Sequence, residues 1–417
     1  MIQKTKILIL GGGFGGVRSA LELSKSHLPN VDVALIDQHK FHEFHADFYE
    51  VAAAFLPEGE SKPQTALQFE NLAGSVMVPF EEIFKGKNVE VVVDKVDHIN
   101  LKDRFVILEK GGKRDFDILI IALGSTTNYF GMKNLEEVAL PLKTVGDALN
   151  IRNSVDELFV QKKPNKPINV VVGGGGFTGV EVAGELVRYL KTLAKLHNHP
   201  IELIDLSVIE ACPTLLNGSK PWYQAEALRR LQKLGVNVHL DSKITQLTDH
   251  KIRLENGQVY DFDLLIWTAG IRANPLVESL EGVKLEKGAC LAVNRSLQVV
   301  GFEGVFAIGD NSFCYDYQRS CVVPPTAQLA ISQGKYIARA IRSISGGKKI
   351  DEFQPKLPNF IVPIGKGFAL GEFLGLRFSG MPAWWMKRVV ALKYFLSILP
   401  FLTALKLWFK GVRFFVS

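Results

Sequence analysis

Two glycine clusters are the parts of this sequence best suited to hold a phosphorylated cofactor. Gly11-Gly12-Gly13-Phe14-Gly15-Gly16 and Gly174-Gly175-Gly176-Phe177-Thr178-Gly179 both have the spacing G-x-G-x-x-G. In this pattern the first glycine allows a tight turn, the second lets the backbone approach a pyrophosphate, and the third allows close helix–strand packing. The N–H groups at the start of the following helix favour the phosphates. The predicted contacts are Gly11, Gly13, Phe14, Gly15 and Gly16 in the first cluster, and Gly174, Gly176, Thr178 and Gly179 in the second.

Each cluster is followed by a predicted strand that ends in an acidic residue. Val31–Ile36 leads to Asp37, and Leu206–Ile209 leads to Glu210. A carboxylate at this point accepts hydrogen bonds from an adenosine ribose and disfavours a 2′-phosphate. Asp37 follows its cluster at the usual distance of about 20 residues. Glu210 lies further along the chain because a longer helix and loop intervene, and the expected preference for NADH over NADPH depends mainly on it.

The segments around the two clusters also repeat. In the first copy, the apolar strand Lys6–Leu10 precedes the glycines and the helix Val17–Ser24 follows them. In the second copy, the strand is Asn169–Val172 and the helix is Val180–Leu190. Downstream, Val89–Gly124 parallels Val236–Gly270: a strand, a hairpin with a glycine turn, Asp-Phe-Asp, and a buried strand ending in glycine. We therefore predict an α/β protein with two Rossmann-like domains. Two dinucleotides in one chain imply two redox cofactors that exchange electrons.

A third motif connects the far end of the chain to the first site. The apolar segment Val305–Ile308 ends in Gly309-Asp310, which would place a carboxylate beside the first set of phosphates. With the two glycine clusters, this arrangement resembles the two-dinucleotide flavoproteins of the glutathione-reductase-like superfamily. The resemblance implies FAD at the first site, with Asp310 at a ribityl hydroxyl, and NAD(H) at the second. Further cofactor contacts are predicted at Val96, Ala122, Gly124, Gly270, Ala327 and Gln328.

Within that superfamily the sequence resembles type II NADH dehydrogenases, the non-proton-pumping NADH:quinone oxidoreductases. Four segments and the basic tail carry the resemblance: Phe41–Ala52, Val171–Leu186, Trp267–Pro275 and Pro324–Gln333. It implies hydride transfer from NADH to FAD, then two electrons to a membrane quinone. His45-Ala46 and Phe177 depart from the family pattern.

The same resemblance assigns catalytic roles to Glu181 and Gln328. Glu181 would bond the nicotinamide amide and help to relay protons; alternatively, it is a carboxylate that interacts with the helix dipole. Gln328 would lie near the quinone, in a helix with Thr326 as its N-cap. The family's second glutamine in this segment is replaced by Ser332, with Gln333 one place later. Lys366 is either a further contact or a solvated turn lysine.

The predicted domains are 1–125 and 276–360 for FAD, 126–275 for NADH, and 361–417 for membrane association.

The tail after residue 372 contains seven basic residues and no acidic residue, and this excess accounts for the net charge of +6. The longest uncharged run of this tail, Tyr394–Leu405, is too short to span a bilayer, for which about 20 residues are needed.

Two short helices divided at Pro400 are predicted instead, lying in the plane of an anionic membrane. The first would carry an apolar stripe flanked by basic residues, and the second a smaller apolar group. The stripe comprises Trp385, Val389, Leu392, Phe395 and Leu396, and the second group Leu402, Leu405 and Phe409. A dimerisation arm or a core-covering helix pair is the alternative. Deletion of the chain after Gly380 is expected to leave a soluble, yellow protein.

The remaining expectations concern partners and competing functions. The N-terminal apolar stretch is predicted to be a strand and not a signal peptide, so we expect a peripheral protein on the cytoplasmic face of the cell membrane. A homodimer is expected, with no nucleic-acid partner and no metal site. The four cysteines (Cys212, Cys290, Cys314 and Cys321) lack CxxC spacing, which disfavours a disulfide reductase. A sulfide:quinone oxidoreductase and an NADH-binding signalling flavoprotein related to apoptosis factors remain the alternatives.

Overall fold

The first glycine cluster lies between a buried strand and a helix. A computed structural model of the protein describes residues 4–26, 30–55, 66–248, 250–356, 360–373 and 375–416. The strand Thr5–Leu10 buries four consecutive apolar residues, as the central strand of a parallel sheet does. The helix Phe14–Ser24 begins within the glycine cluster, three residues earlier than predicted.

The first sheet has five strands, all parallel. Its order across the sheet is Val305–Ala307, Ile118–Ile121, Thr5–Leu10, Val31–Asp37 and Glu90–Val93. The helices Phe14–Ser24 and Ala327–Ser345 pack together on one face. A small antiparallel sheet covers the other face, formed by Val96–Asn100, Phe105–Leu108 and Gly112–Asp115.

The second sheet repeats this architecture with a second set of five parallel strands. The order is Leu140–Pro141, Leu264–Trp267, Ile168–Gly173, Ile204–Ile209 and Asn237–His239. Its helices are Val145–Gln161, Phe177–Leu196 and Pro221–Leu234, and its antiparallel sheet comprises Ile244–Thr248, Lys251–Leu254 and Val259–Asp261. The predicted α/β fold with two Rossmann-like units is therefore confirmed.

Two antiparallel strands carry the chain between the units. Ser125–Thr127 leaves the first unit and pairs with Ile271–Ala273, which returns to it. The chain then adds the strand Val305–Ala307 to the edge of the first sheet. The first unit is consequently built from two separated stretches of sequence.

The C-terminal part begins with an antiparallel sheet of three strands, Ile361–Pro363, Ala369–Phe373 and Leu376–Gly380. Two helices follow, Met381–Ile398 and Phe401–Val416, divided at Pro400 as predicted. Among the described residues, no helix is both long enough and apolar enough to cross a membrane.

Shorter elements complete the chain. The strands are Phe41–Glu43, Met77–Pro79, Leu285–Glu286, Cys290–Ala292, Ser312–Phe313, Tyr315–Asp316 and Cys321–Val322. The helices are Phe48–Ala52, Ala66–Ala73, Phe80–Phe84, Lys133–Val138 and Pro275–Glu278, and the 3-10 turns are His45–Asp47, Ile201–Leu203, Lys287–Ala289 and Gly309–Asn311.

Candidate functional site

The first glycine loop has the geometry that a bound pyrophosphate requires. Gly11 has φ +101°, and a Cβ there would lie 2.3 Å from the carbonyl oxygen of Ala122. A Cβ at Gly16 would lie 1.9 Å from the Gly11 carbonyl oxygen. At Gly13, by contrast, no protein atom lies within 4 Å of such a Cβ. Gly11 and Gly16 thus allow the tight turn and the close packing, and Gly13 leaves its backbone open to a ligand.

The carboxylate of Asp37 is fixed directly beside this loop. Its Oδ2 accepts a hydrogen bond from the Gly12 N–H at 2.6 Å, and its Oδ1 accepts one from the His39 N–H at 2.8 Å. Burial raises the pKa of Asp37, although these two hydrogen bonds oppose the shift. Asp37 is therefore held at the mouth of the loop, where an adenosine ribose would bind.

The second glycine loop has the same pattern of crowded and open glycines as the first. Gly174 has φ +104° and would place a Cβ 2.5 Å from the Ala269 Cα. The Gly179 Cβ would lie 1.9 Å from the Gly174 carbonyl oxygen, and the space next to Gly176 is open to 4 Å. Thr178 is exposed in the first helical turn. The two loops therefore satisfy the same steric requirements.

Glu210 occupies the position that Asp37 has in the first unit. Its Oε2 accepts a hydrogen bond from the Gly175 N–H, and its Oε1 accepts one from the Cys212 N–H at 2.8 Å. The longer sequence distance does not displace it, because the extra residues extend the preceding helix to Leu196 instead of ending it at Leu190. The three-dimensional structure thus places this acid at the second loop independently of spacing.

The Gly309–Asp310 turn lies at the carboxyl edge of the first sheet. The Asp310 Oδ2 accepts hydrogen bonds from the Ser125 hydroxyl at 2.6 Å and the Lys143 ammonium at 3.4 Å. The next residue, Asn311, accepts a hydrogen bond from the Gly124 N–H at 2.9 Å. Gly124 and Asp310 are therefore brought together from opposite ends of the first unit.

The helix that carries Gln328 begins with the predicted cap. The Thr326 side chain accepts a hydrogen bond from the Leu329 N–H at 3.1 Å, and Gln328 is exposed in the first turn. Gln333 is fully buried, and its Oε1 accepts the Gly309 N–H at 2.8 Å. Ser332 donates a hydrogen bond to the Leu329 carbonyl. Gln333 therefore fixes the turn that carries Asp310, a role that the sequence pattern does not reveal.

The remaining predicted contacts are distributed around the two loops. Ala122 adjoins Gly11, and Ala327 is the half-buried first residue of the Gln328 helix. Gly270 follows the buried strand Leu264–Trp267 and accepts a hydrogen bond from the Asn128 N–H. Val96 is half-buried at the start of the strand Val96–Asn100, in the small antiparallel sheet.

The ring of Phe14, at the start of the first helix, contacts an aromatic cluster. Its centroid lies 5.0 Å from His42 and 5.1 Å from Tyr394. His42 is fully buried between the Gly12 carbonyl and the Tyr394 hydroxyl, and burial lowers its pKa to about 4. The first cofactor loop therefore rests directly on a residue of the C-terminal helix.

A buried ionic cluster connects this C-terminal helix to the first unit. The Lys387 ammonium donates to Asp47 at 2.8 Å and lies 3.4 Å from Glu50. Arg388 donates two hydrogen bonds to the Glu50 carboxylate, one of them at 2.7 Å. Lys387 is 9% exposed and Arg388 3%. The prediction that these cations flank a lipid-facing stripe is wrong: they neutralise buried carboxylates and hold the helix in place.

Deletion of the chain after Gly380 is therefore unsuitable as a test of membrane binding. It would remove both cations and leave Asp47 and Glu50 buried without their partners, which is strongly destabilising. A folded, soluble truncation is therefore no longer expected. Substitutions of exposed tail residues test membrane binding without disturbing this ionic cluster.

Glu181 lies next to this cluster, on the second unit's helix. Burial raises the pKa of Glu181 to about 8, although Lys387 opposes the shift, and burial raises that of Glu185 on the same helix to about 7. A carboxyl with a pKa of about 8, as in Glu181, is largely protonated at neutral pH and can donate a hydrogen bond or a proton. Glu181 therefore has the acid–base character expected for a proton-handling group.

The exposed face of the C-terminal helices agrees only in part with the predicted stripe. Trp385, Val389 and Leu396 are exposed and Leu392 is half-buried, but Phe395 is 3% exposed and packs in the core. Inclusion of Phe395 in the stripe is therefore wrong. In the second helix, Leu402 and Phe409 are exposed and Leu405 is half-buried.

The cysteines do not form a redox pair in the described structure. All four are free. Burial raises the pKa of Cys314 to about 11 and also raises those of Cys212 and Cys290. Thiol chemistry needs an accessible thiolate, which these environments disfavour. Within the described residues, no group of three or more His, Cys, Asp or Glu side chains is arranged to hold a metal ion.

The chain belongs to the pyridine nucleotide-disulphide oxidoreductase family, whose profile matches residues 5–334. It is 27% identical over 398 residues to a type II NADH:quinone oxidoreductase of Staphylococcus aureus, covering 93% of this chain and 94% of that protein. The Staphylococcus haemolyticus protein of the same name is 27% identical over 408 residues, with the same coverage.

Two solved structures have similar folds. NDH2 from Plasmodium falciparum in complex with NADH has a TM-score of 0.83 at 19% identity, covering 99% of this chain and 98% of that one. A sulfide:quinone oxidoreductase from Aquifex aeolicus has a TM-score of 0.76 at 19% identity, with coverages of 94% and 90%. The resemblance to type II NADH dehydrogenases inferred from the sequence is thus confirmed.

Proposed function

We propose that this protein is a peripheral membrane NADH:quinone oxidoreductase that uses FAD. The observation that carries the proposal is the pair of matching loops, each with an open glycine backbone next to a fixed carboxylate, at Gly13 with Asp37 and at Gly176 with Glu210. Similarity to proteins named type II NADH:quinone oxidoreductases over 93% of the chain supports the substrates. We also propose the domain division 1–125 and 276–360, 126–275, and 361–417.

The residues of the chain fit FAD at the first loop and NAD(H) at the second. Asp310, held by Ser125 and Lys143, would hydrogen-bond the ribityl chain of FAD. The chemistry that FAD supplies when bound is acceptance of a hydride from NADH and delivery of two electrons to a quinone. The protein's part is to bind and orient the two carriers and to supply protons.

We propose Glu181 as a proton-handling residue and Gln328 as a quinone contact. Quinone reduction consumes two protons, and Glu181 is a half-buried carboxyl whose pKa is raised to about 8 by desolvation. Gln328 lies in the first turn of a helix whose free N–H groups favour negative charge. On this proposal both groups act where the two cofactors meet, because hydride and electron transfer must take place there.

The exposed apolar residues of the C-terminal helices support attachment to the membrane surface. Trp385, Val389, Phe401, Leu402 and Phe409 are each at least 43% exposed. Five basic residues of the tail remain outside the buried cluster, and these would favour anionic lipid on the cytoplasmic face. The homodimer stays a prediction, which sedimentation of the detergent-solubilised protein would test.

The proposed activity is tested with purified, detergent-solubilised holoprotein. We expect NADH to bleach the flavin absorbance and a short-chain quinone to restore it with continuous turnover. Sulfide offered in place of NADH should not bleach the flavin, because burial raises the pKa of Cys212, Cys290 and Cys314 and so disfavours their thiolates. Reduction by NADH without reoxidation by any quinone would favour the signalling flavoprotein instead.

Glu210 provides a test of nucleotide preference. Glu210→Gln removes the charge that repels a 2′-phosphate while keeping an acceptor for the Gly175 N–H, so NADPH should become a better substrate relative to NADH. The measurement is the ratio of kcat/KM for the two nucleotides. Glu202→Gln, an exposed change in the same unit, is the control, and an unchanged ratio in Glu210→Gln would contradict the assignment.

A further inference from the structure

A strongly basic cavity lies on the second unit, apart from the proposed redox site. Its volume is about 550 Å³, and five cationic side chains line it: Arg188, Lys191, Lys195, Arg230 and Lys366. No acidic side chain lines it, and neither Gln328 nor Asp310 belongs to its lining. The cavity is therefore a concentrated positive site that the proposed electron transfer does not use.

The fold brings these cations together from three segments. Arg188, Lys191 and Lys195 lie at spacings of three and four residues, on one face of the helix Phe177–Leu196. Arg230 comes from the neighbouring helix, Pro221–Leu234. Lys366 reaches the cavity because its turn packs on the helix at Gly184, where a Cβ would lie 2.7 Å from the Gly365 nitrogen. Only a glycine allows this close approach.

Within the described structure, none of the five cations has an ion-pair partner. Lys191 donates to the Leu234 carbonyl, and Arg230 donates to the Ile364 carbonyl. The Nε of Arg188 is buried with no acceptor. Glu185 lies nearby and attracts Arg188, Arg230 and Lys366, but burial raises the pKa of Glu185 to about 7, so a single, partly ionised carboxyl faces five cations at neutral pH. The assembly therefore holds like charges together and leaves a buried donor unsatisfied, which is unfavourable in the absence of an anion.

We propose that this cavity binds a phosphate-bearing anion. Arginine and lysine supply convergent donors suited to phosphate oxygens, and more than one negative charge is needed to balance five cations. The phosphate can come from a lipid headgroup or from a soluble compound. A lipid source fits the location, because the turn that carries Lys366 also contacts Met381, the exposed first residue of the C-terminal helices. The proposal does not depend on the electron acceptor.

The test uses the FAD-loaded protein with saturating NAD⁺, so that both glycine loops are occupied. One arm titrates inorganic pyrophosphate by calorimetry. The other measures binding to vesicles of phosphatidylcholine alone and of phosphatidylcholine with phosphatidylglycerol. The variant is Lys191→Gln/Lys366→Gln, which removes two exposed lysines of the cavity. The control is Lys102→Gln/Lys287→Gln, which removes the same charge from exposed positions elsewhere.

Loss of the two cavity lysines should weaken binding about 25-fold, because each lysine near a phosphate contributes about fivefold in affinity. Weakening in the pyrophosphate arm alone identifies a soluble phosphate compound as the source. Weakening with phosphatidylglycerol vesicles, with or without pyrophosphate binding, identifies a lipid headgroup. If the cavity variant matches the control variant in both arms, the proposal is overturned.

Discussion

The buried pair between Arg388 and Glu50 holds the C-terminal helices to the first unit, and Arg388→Met tests this attachment. The guanidinium donates two hydrogen bonds to a carboxylate that lies 338 positions earlier in the chain. Both residues are at most 5% exposed. Methionine keeps an unbranched side chain of similar length but removes the charge and both hydrogen bonds.

The magnitude follows from what remains around Glu50. Removal of one partner of a buried pair costs about 3–5 kcal/mol. Glu50 would keep the Tyr49 hydroxyl at 2.7 Å and the Lys387 ammonium at 3.4 Å, so we expect about 3 kcal/mol, the lower end of that range. This corresponds to opening of the helix pair about 10²-fold more often.

Hydrogen exchange of the helix Met381–Ile398, followed by mass spectrometry, measures this opening directly. Lys393→Met is the control, because Lys393 is exposed on the same helix and its loss should change stability by no more than about 0.5 kcal/mol. Glu50→Gln/Arg388→Met should exchange more slowly than Arg388→Met alone, since it leaves no orphaned carboxylate. Exchange of Arg388→Met at the rate of the control, or of the double variant no slower than the single one, would refute the role of the ion pair.

Four further variants test the cofactor sites, the ionisation of Glu181 and the membrane face. Gly16→Ala should abolish the flavin absorbance of the purified protein, whereas Gly179→Ala should leave it yellow but unable to accept hydride from NADH; loss of flavin from both variants would contradict separate sites. The pKa of Glu181 is raised from 4.5 to about 8, so its ionisation lowers stability as pH rises through that interval. Glu181→Gln should therefore raise the free energy of unfolding at pH 9 by on the order of 3–5 kcal/mol, and with it the melting temperature, but should change neither at pH 4. An equal effect at both pH values would count against the assignment. Phe401→Asp/Leu402→Asp should weaken vesicle binding by more than about tenfold, because burial of each exposed apolar side chain in the membrane contributes roughly 1.5 kcal/mol of binding free energy. Unchanged binding would exclude this face as the membrane contact.

Local sequence rules were sufficient for the glycine loops and for the break between the C-terminal helices. The last glycine of each loop is fixed by a contact within a few residues, because a Cβ at Gly16 or Gly179 would lie 1.9 Å from the carbonyl oxygen of Gly11 or Gly174. Pro400 ends a helix for an equally local reason. The repeat of these local signals was enough to predict both Rossmann-like units.

Contacts between distant segments could not be derived in this way. Spacing alone left Glu210 uncertain, whereas the Gly175 N–H fixes it at the second loop. Gln333 cannot be distinguished from a ligand-facing glutamine by sequence, because its partner is the backbone of Gly309.

The sequence by itself determined two dinucleotide loops, their order along the chain and a basic, apolar tail. The tertiary structure alone decided which tail residues face outward, because the carboxylates that bury Lys387 and Arg388 come from residues 47 and 50. It also gathered five cations around one cavity from three separate segments. In both cases a side chain's environment depends on residues remote in sequence, and only the packing of the two units and the C-terminal helices brings those residues into contact.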